Sequence, residues 1–435
     1  MIAEHRSETR PPRLDGQPTS TPPPSLEKAP YSPGRIGSKV HILFLIDELC
    51  EPGGAERVLL NMIRRMPQDR FRCSLATFDL DPNIAIFRDL PCPAYVFPIQ
   101  RTYGASGFRA ALKLRKLIRS QHVEILHTFH ETSDTWGSLV AKWSGCPVLV
   151  SSRRDMGILR SAKHRMAYRL LSPMFDQVLT VSEEVRRFCI QQDNLHPSKV
   201  LTLYNGIDLE RVAAARCPDD LRQRLGLAQA SHLIVTVGHV RRVKGFDTFI
   251  QAAEIVRREF PRAVFLVVGD VSEPEHYREL QALIEQQGCA ENVRFLGPSE
   301  DVFGFLKMSD VFCLLSRSEG FSNALLEAMA CELPCVATRV SGTVEAIEDG
   351  VSGFLVATED AESAADRILR LLRQPEEAKR MGQAGRKTVE EKFTVEGMMD
   401  KLTAVYDSLV RMAKVGEGRL QAEIDAAAPR LSQCK

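Results

Sequence analysis

With 435 residues, 44% hydrophobic and 26% charged, the chain has room for two domains, each with its own core. The formal net charge is only +1 and no apolar run reaches the roughly 18 residues of a membrane span, so neither a nucleic-acid partner nor an integral membrane protein is expected. The 11 cysteines are scattered, odd in number and without a CxxC, and the first residues (Glu4, His5, Arg6, Glu8) lack the apolar core of a secretion signal; reduced, cytoplasmic thiols are expected.

Residues 1–38 are rich in Pro, Ser and Thr and read as a disordered tail. The run from Val40 to Ile46 is continuously apolar, as a strand buried on both faces is. Pro52-Gly53-Gly54 makes a loop, and a helix follows from Ala55 to about Arg65. Gly53 and Gly54 read either as simple turn chemistry or as a close approach to a ligand. Asp79-Leu80-Asp81 follows a strand and precedes Pro82, and is read as an acidic turn rather than a metal pair. Residues 101–169 carry 13 Lys and Arg against 4 Asp and Glu. That excess suits an anionic lipid surface or a phosphorylated acceptor, or is a set of solvated helix faces. Within it, Arg109 to Arg119 is amphipathic and basic, and fits a membrane-surface helix or an ordinary crossover helix. Ile125-Leu126-His127 is a strand end, with His130 and Glu131 just beyond. A histidine there can orient or protonate a substrate hydroxyl or phosphate, and a structural role competes for each. A helix is expected near Ser133–Trp143, then a strand at Val148–Val150. Arg153, Arg154, Arg160, Lys163, Arg165 and Arg169 follow, the first two at a strand's carboxyl end. The strands Gln177–Val181 and Val200–Leu203 close the series at Tyr204-Asn205-Gly206.

A second strand series starts at His232–Val237 and continues through Ala263–Val268, Val293–Leu296, Val311–Leu315 and Cys335–Thr338, each alternating with a helical segment. Alternation of this kind predicts an α/β protein of two doubly wound parallel sheets, with ligands at the carboxyl ends of the strands. The domains are placed at 39–212 and 213–394, with a last helix over about 395–414 and a loose tail over 415–435. After the first strand of the second domain comes Gly238-His239-Val240-Arg241-Arg242-Val243-Lys244-Gly245. Gly238 permits close backbone approach, Lys244 offers a fixed cation to a diphosphate, and Arg241 or Arg242 a forked donor.

The run Glu319-Gly320-Phe321-Ser322-Asn323-Ala324-Leu325-Leu326-Glu327 carries the most information. One carboxylate sits in a Gly-containing loop and the other inside an apolar helical pattern eight residues on. Between them lies a helix start, with Ser322 or Asn323 as N-cap. Its free N–H groups and dipole suit a phosphate. Two carboxylates flanking a phosphate seat point to a nucleotide on one side and a polyol, such as a sugar, on the other. No GxGxxG fingerprint or P-loop is present.

Together with Gly53-Gly54-Ala55-Glu56, Asn205-Gly206-Ile207-Asp208, Phe295-Leu296-Gly297 and Glu345 to Gly350, these segments resemble glycosyltransferase family 4, retaining sugar-nucleotide enzymes of the GT-B fold. The resemblance spans about residues 39–414. It implies that Glu327 binds ribose hydroxyls, that Glu319 with the backbone at Gly320 and Phe321 contacts the donor sugar, and that N–H groups near Ala324 and Leu325 hold diphosphate with Lys244. It places Gly54 against donor and acceptor, and implies no metal and no cofactor beyond the sugar nucleotide. Three departures stand out. His239 occupies the position where the family often has Arg, with Arg241 as a replacement. The His-x-His motif reads His127-Thr128-Phe129-His130. Glu332 replaces a common Gly. The expected activity is transfer from a UDP- or GDP-linked sugar to a glycan or lipid-linked acceptor with retention, in surface polysaccharide synthesis, with peripheral contact to an anionic inner-membrane surface. A sugar-nucleotide epimerase or hydrolase on the same fold, and a non-catalytic assembly scaffold, are the alternatives.

Overall fold

The computed structural model describes residues 39–431 except 51–52, 100, 158–161, 219 and 300, and excludes the side chains of 85 and 416–431. The expected tail over 1–38 and the basic Arg160 lie outside the described residues.

The first domain holds a seven-stranded parallel sheet of β1 (Val40–Leu49), β2 (Phe71–Leu80), β3 (Ala94–Val96), β4 (Ile125–Phe129), β5 (Val148–Arg153), β6 (Gln177–Thr180) and β7 (Val200–Thr202), in the order β3-β2-β1-β4-β5-β6-β7. The apolar run of β1 is central because both of its edges are paired, to β2 and to β4. Its side chains alternate between two cores. Ile42, Phe44 and Ile46 join the cluster that contains the helix Gly54–Arg65, while Leu43 and Leu45 join the one beneath the helix Ala105–Ser120. That period of two, buried on both faces, is why the segment reads as continuously apolar.

The second domain holds six parallel strands, β8 (His232–Val237), β9 (Ala263–Val268), β10 (Val293–Gly297), β11 (Val311–Leu314), β12 (Cys335–Thr338) and β13 (Phe354–Val356), ordered β10-β9-β8-β11-β12-β13. Two strands were not expected from sequence. β3 and β13 are edge strands of three residues each, too short to set up an alternation.

Each sheet reverses its strand order once, between β1 and β4 and between β8 and β11. These are the switch points where such sheets open a crevice. The Gly53-Gly54, His130, Gly238–Gly245 and Ser316–Ser322 segments all follow these four strands.

The chain crosses between the domains twice at one place. Ile207 N–H donates to Phe393 O at 2.8 Å, and Val395 N–H donates to Ile207 O at 3.1 Å. Gly206 is needed there, because a Cβ would lie 2.4 Å from the Val395 Cα. The last helix then lies against the first domain, burying Met398, Met399, Leu402, Tyr406 and Val410 in the same core as β1. It runs from Val395 to Leu431, replacing with helix most of the loose tail expected after residue 414. Its later part has no Gly or Pro between Arg419 and Ala428 and is rich in alanine, a strong helix former.

The basic segment around Arg109–Arg119 forms the crossover helix Ala105–Ser120, with Ala110, Ala111, Leu114, Leu117 and Ile118 buried. Phe108 and Leu112 face outward instead, as do Leu139 and Trp143 of the helix Ser138–Ser144.

Candidate active site

The second-domain side is built from two loops that meet. After β8, the chain makes a tight turn over Arg242–Lys244 and enters the helix Phe246–Arg257. After β11, it runs through Ser316–Phe321 into the helix Asn323–Ala330. Lys244 Nζ donates to Glu319 Oε1 at 2.7 Å, and Ser316 Oγ donates to the same oxygen at 2.6 Å. The Glu319 side chain is 9% exposed, so its charge is held by these two donors more than by water. Gly238 lies against the stem of Lys244; a Cβ there would meet Lys244 Cε at 3.7 Å. Arg241 is exposed on the same loop, and the His239 ring pairs with Ser272 Oγ at 3.1 Å.

Arg317 fixes the two loops to one another. Its guanidinium forks onto Asp247 at 2.6 and 3.1 Å, reaches Glu359 at 2.6 Å and donates to the Arg242 carbonyl at 2.6 Å. Its own N–H donates to Val243 O at 2.8 Å. One residue thus sets the position of Lys244 relative to Glu319. Sequence offered little signal for it, since Arg317 looks like any polar loop residue.

The helix start is capped by Ser322, whose Oγ accepts from the Leu325 N–H at 3.3 Å. That bond satisfies one of the four N–H groups that lack an intrahelical acceptor and leaves the first turn, at Asn323 and Ala324, for a ligand. Glu327 lies one turn further along. Burial pushes its carboxyl up to about 7, against the pull of Arg57 and Arg211.

The first domain closes on this helix. Gly54 comes so near that an added Cβ would sit 3.6 Å from Asn323 Nδ2. Asn205 donates to Asn323 Oδ1 at 2.6 Å and accepts from Arg154 at 2.5 Å. Gly320 has no room for a side chain, because a Cβ would stand 2.0 Å from the Arg154 carbonyl oxygen. Phe321 packs with Tyr204 and Phe393. Beside this contact, Glu345 accepts from the N–H groups of Glu183 and Glu184, at the start of the helix Glu183–Gln192, and from Tyr204 Oη at 2.8 Å. The second domain therefore supplies an acidic cap to a helix of the first.

The two histidines separate. His127, expected near the ligand edge, is fully buried, stacked near Phe44 and Phe129. Its Nδ1 pairs with Tyr406 Oη at 2.5 Å and its Nε2 with Ser152 Oγ at 2.8 Å. Burial lowers its pKa to about 3 and holds it neutral. Both nitrogens being occupied away from the cleft, His127 is a core residue, and the catalytic expectation for it is corrected. His130 lies past the strand end in a left-handed conformation, φ 74°, with Nε2 3.9 Å from Glu56 Oε1. Burial raises the pKa of Glu56 and of Asp47, and His130 opposes both shifts. Gly53 sits just before the helix that carries Glu56; a Cβ there would fall 2.5 Å from Glu56 Oε2. Glu56 belongs to the Gly-Gly-Ala-Glu segment, yet sequence alone assigned it no role.

Asp79, expected in an acidic turn, lies within β2 and accepts from the Leu80 N–H, while Asp81, just past the strand, accepts from the Asn83 N–H. Among the described residues, no group of three His, Cys, Asp or Glu side chains is placed to hold a metal.

The model described as Glycosyltransferase Family 4 matches residues 52–211, and that described as Glycosyl transferases group 1 matches residues 219–388. The N-acetyl-alpha-D-glucosaminyl L-malate synthase of Bacillus anthracis is 35% identical over 222 residues, covering 51% of this chain and 57% of the relative. The UDP-Gal:alpha-D-GlcNAc-diphosphoundecaprenol alpha-1,3-galactosyltransferase of Escherichia coli is 24% identical over 82% of this chain and 94% of its own length. The crystal structure of Anabaena HepE in complex with UDP superposes with a TM-score of 0.74 at 22% identity, covering 85% of this chain and all of that one. The chain belongs to the glycosyltransferases of GT-B fold, a family 4 domain followed by a group 1 domain.

Proposed function

We propose that this glycosyltransferase moves a sugar from a nucleoside diphosphate sugar to a glycan or lipid-linked acceptor, with retention of anomeric configuration, in the synthesis of a cell-surface polysaccharide. The observation that carries the reading is the Lys244–Glu319 pair beside the helix start at Asn323. A diphosphate entering between them draws Lys244 Nζ and the first-turn N–H groups, and releases Glu319 to accept from sugar hydroxyls. Glu327, one turn on, accepts from the ribose. As the bond from the anomeric carbon to the phosphate oxygen breaks, the sugar becomes oxocarbenium-like and negative charge grows on the departing diphosphate. Lys244 and the helix start stand where that charge develops. Because that positive charge comes from the protein, the reaction runs without a metal. His130, Gly54 and the Arg154 backbone face the reacting end from the first domain.

The named activities of the relatives support this reading. The Escherichia coli enzyme is named for a UDP-linked sugar and a diphosphoundecaprenol-linked acceptor, and Anabaena HepE was also solved with UDP-glucose. Peripheral contact with an anionic membrane surface on the cytoplasmic side is part of the proposal. No helix among the described residues is long and apolar enough to cross a membrane. The exposed Phe108 and Leu112 belong to the basic helix Ala105–Ser120, and the exposed Trp143 has Arg115 over its ring; exposed apolar groups beside basic ones are the combination that binds at a lipid interface.

Thermal-shift screening of UDP- and GDP-linked sugars identifies the donor, since a ligand of the native state raises its stability. NMR of the product glycoside then reads the anomer. Inverted product contradicts retention, inhibition by EDTA contradicts the metal-free reaction, and full donor turnover without acceptor replaces transfer by hydrolysis.

A further inference from the structure

Glu56 is buried more deeply than its place in the helix explains. Gly53 is the cap residue of the helix Gly54–Arg65 and has no side chain to close its start. Glu56, three residues on, folds back over it, so that a Cβ on Gly53 would fall 2.5 Å from Glu56 Oε2. That is the arrangement of a capping box, where the third helical residue satisfies a free N–H group, and glutamine serves there as glutamate does. The side chain here is only 11% exposed, and burial raises the pKa of its carboxyl. A buried charge is costly unless it is paired. The cap alone therefore does not account for a carboxylate.

The other oxygen meets His130. Oε1 lies 3.9 Å from His130 Nε2. That is an ion-pair separation rather than a hydrogen bond, and catalytic hydrogen bonds commonly tighten only when substrate is bound. His130 is held in place at a conformational cost. Its φ of 74° is left-handed, a region that residues other than glycine seldom adopt. Asp47, near the end of β1, holds the turn that follows: its carboxylate accepts from the N–H groups of Thr132 at 2.9 Å and Ser133 at 2.7 Å, and from Ser133 Oγ at 2.5 Å. The His130 carbonyl accepts from the Asp134 N–H at 3.0 Å. Asp47 is thus occupied by the backbone, and Glu56 is the carboxylate that reaches a ring nitrogen. Arg154 is a second cation near Glu56, but its guanidinium already donates to Asn205 at 2.5 Å.

We propose that Glu56 is the positioning residue of His130: its carboxylate, fixed at the helix start through Oε2, holds Nε2 through Oε1 and leaves Nδ1 for the sugar or phosphate at the reacting end. The proposal rests on the reading that His130 takes part in transfer. It divides the Gly-Gly-Ala-Glu segment into separate tasks. Gly53 leaves room for the carboxylate, Gly54 comes close to Asn323, and Glu56 sets the histidine.

The test is a double-mutant cycle on the full chain, read as kcat and KM for transfer with the donor found by thermal shift. Glu56→Gln keeps the cap and removes the charge. It should lower kcat about tenfold and leave donor KM within about twofold, since the interaction lost serves the reacting end and not donor binding. Its urea midpoint should stay at or above that of the parent, because a buried neutral group costs less than a buried charge. Added to His130→Ala, the same substitution should cost less than about twofold more, because the carboxylate then has no ring to hold. A further tenfold loss in the double variant would assign the charge to Arg154 or to the helix and overturn the proposal. Parent kcat in Glu56→Gln, or a lowered midpoint, would overturn it as well. A parent chain that transfers no sugar would strike the proposed function itself, and a His130→Ala chain with parent kcat would strike the role of that ring, so the failures are distinguishable.

Discussion

The ends of β4 and β11 occupy equivalent places, each beside the switch point of its own sheet, yet their titratable residues have opposite fates. At β4, His127 lies within the strand, turned into the core with both nitrogens bonded and held neutral by burial. At β11, Glu319 lies five residues beyond Leu314, in a loop, bonded to Lys244. Being near a strand's carboxyl end is therefore not enough. Register decides: a residue still within the ladder belongs to the core, and one past it belongs to the cleft.

The largest effect should come from the cleft side. Glu319→Gln and Lys244→Ala are each expected to reduce kcat/KM by about 100-fold or more with the fold intact, since on the proposed function each removes a charge that serves the departing diphosphate or the sugar. Turnover within threefold of the parent in either variant, measured with the donor found by thermal shift, would remove the pair from the site. The histidines give the sharpest contrast. His127→Ala should cost about 3 kcal/mol of stability, by leaving Tyr406 and Ser152 without partners inside the core, while the protein that remains folded keeps its kcat. His130→Ala should do the reverse, with an unchanged urea midpoint and kcat/KM down about tenfold or more. If both variants lose stability equally, the distinction drawn from register fails.

Arg317→Lys comes next. Lysine keeps the charge but cannot fork onto Asp247 while also bonding the Arg242 carbonyl. Donor dissociation constants should rise about three- to tenfold, with a drop in stability of about 1–2 kcal/mol. An unchanged donor affinity would show that the loops hold their spacing without the clamp. The smallest effect is on pH dependence. The folded-state pKa of Glu327 is about 7 against an ordinary 4.5, so the native chain binds more protons than the unfolded one between those values. Its contribution to stability is thus greatest at the acid end and declines as pH rises toward 7. Glu327→Gln should flatten this part of the Tm–pH curve, leaving the slope from Asp47 and Glu56, which are shifted the same way. A slope unchanged by the substitution would place Glu327 in water.

Much of this was legible in the chain. β1 announced itself by unbroken apolarity, because it is paired on both sides. The helix Asn323–Ala330 announced itself by its cap and its period, and Ser322 proved to be the cap. Those signals are local, set by residues within a turn or two. The parts that were not legible depend on partners far away in sequence. His127 is settled by Tyr406, 279 residues later, and Lys244 meets Glu319 across 75. Arg317 carries no local pattern at all, and its role exists only because Asp247, Glu359 and the Arg242 carbonyl converge on it. The short edge strands escaped for a different reason, since three residues hold too little alternation to be distinguished from loop.

The double crossing at Ile207 and Thr394 bears on how the cleft can move. A single linker would let one domain swing in any direction. Two adjacent segments, joined by a single bridge and continued by the last helix packed against the first domain, leave less freedom than one. In the same structure Gly320 stands against the Arg154 carbonyl and Glu345 caps a helix of the first domain, so the two domains are also joined beside the cleft.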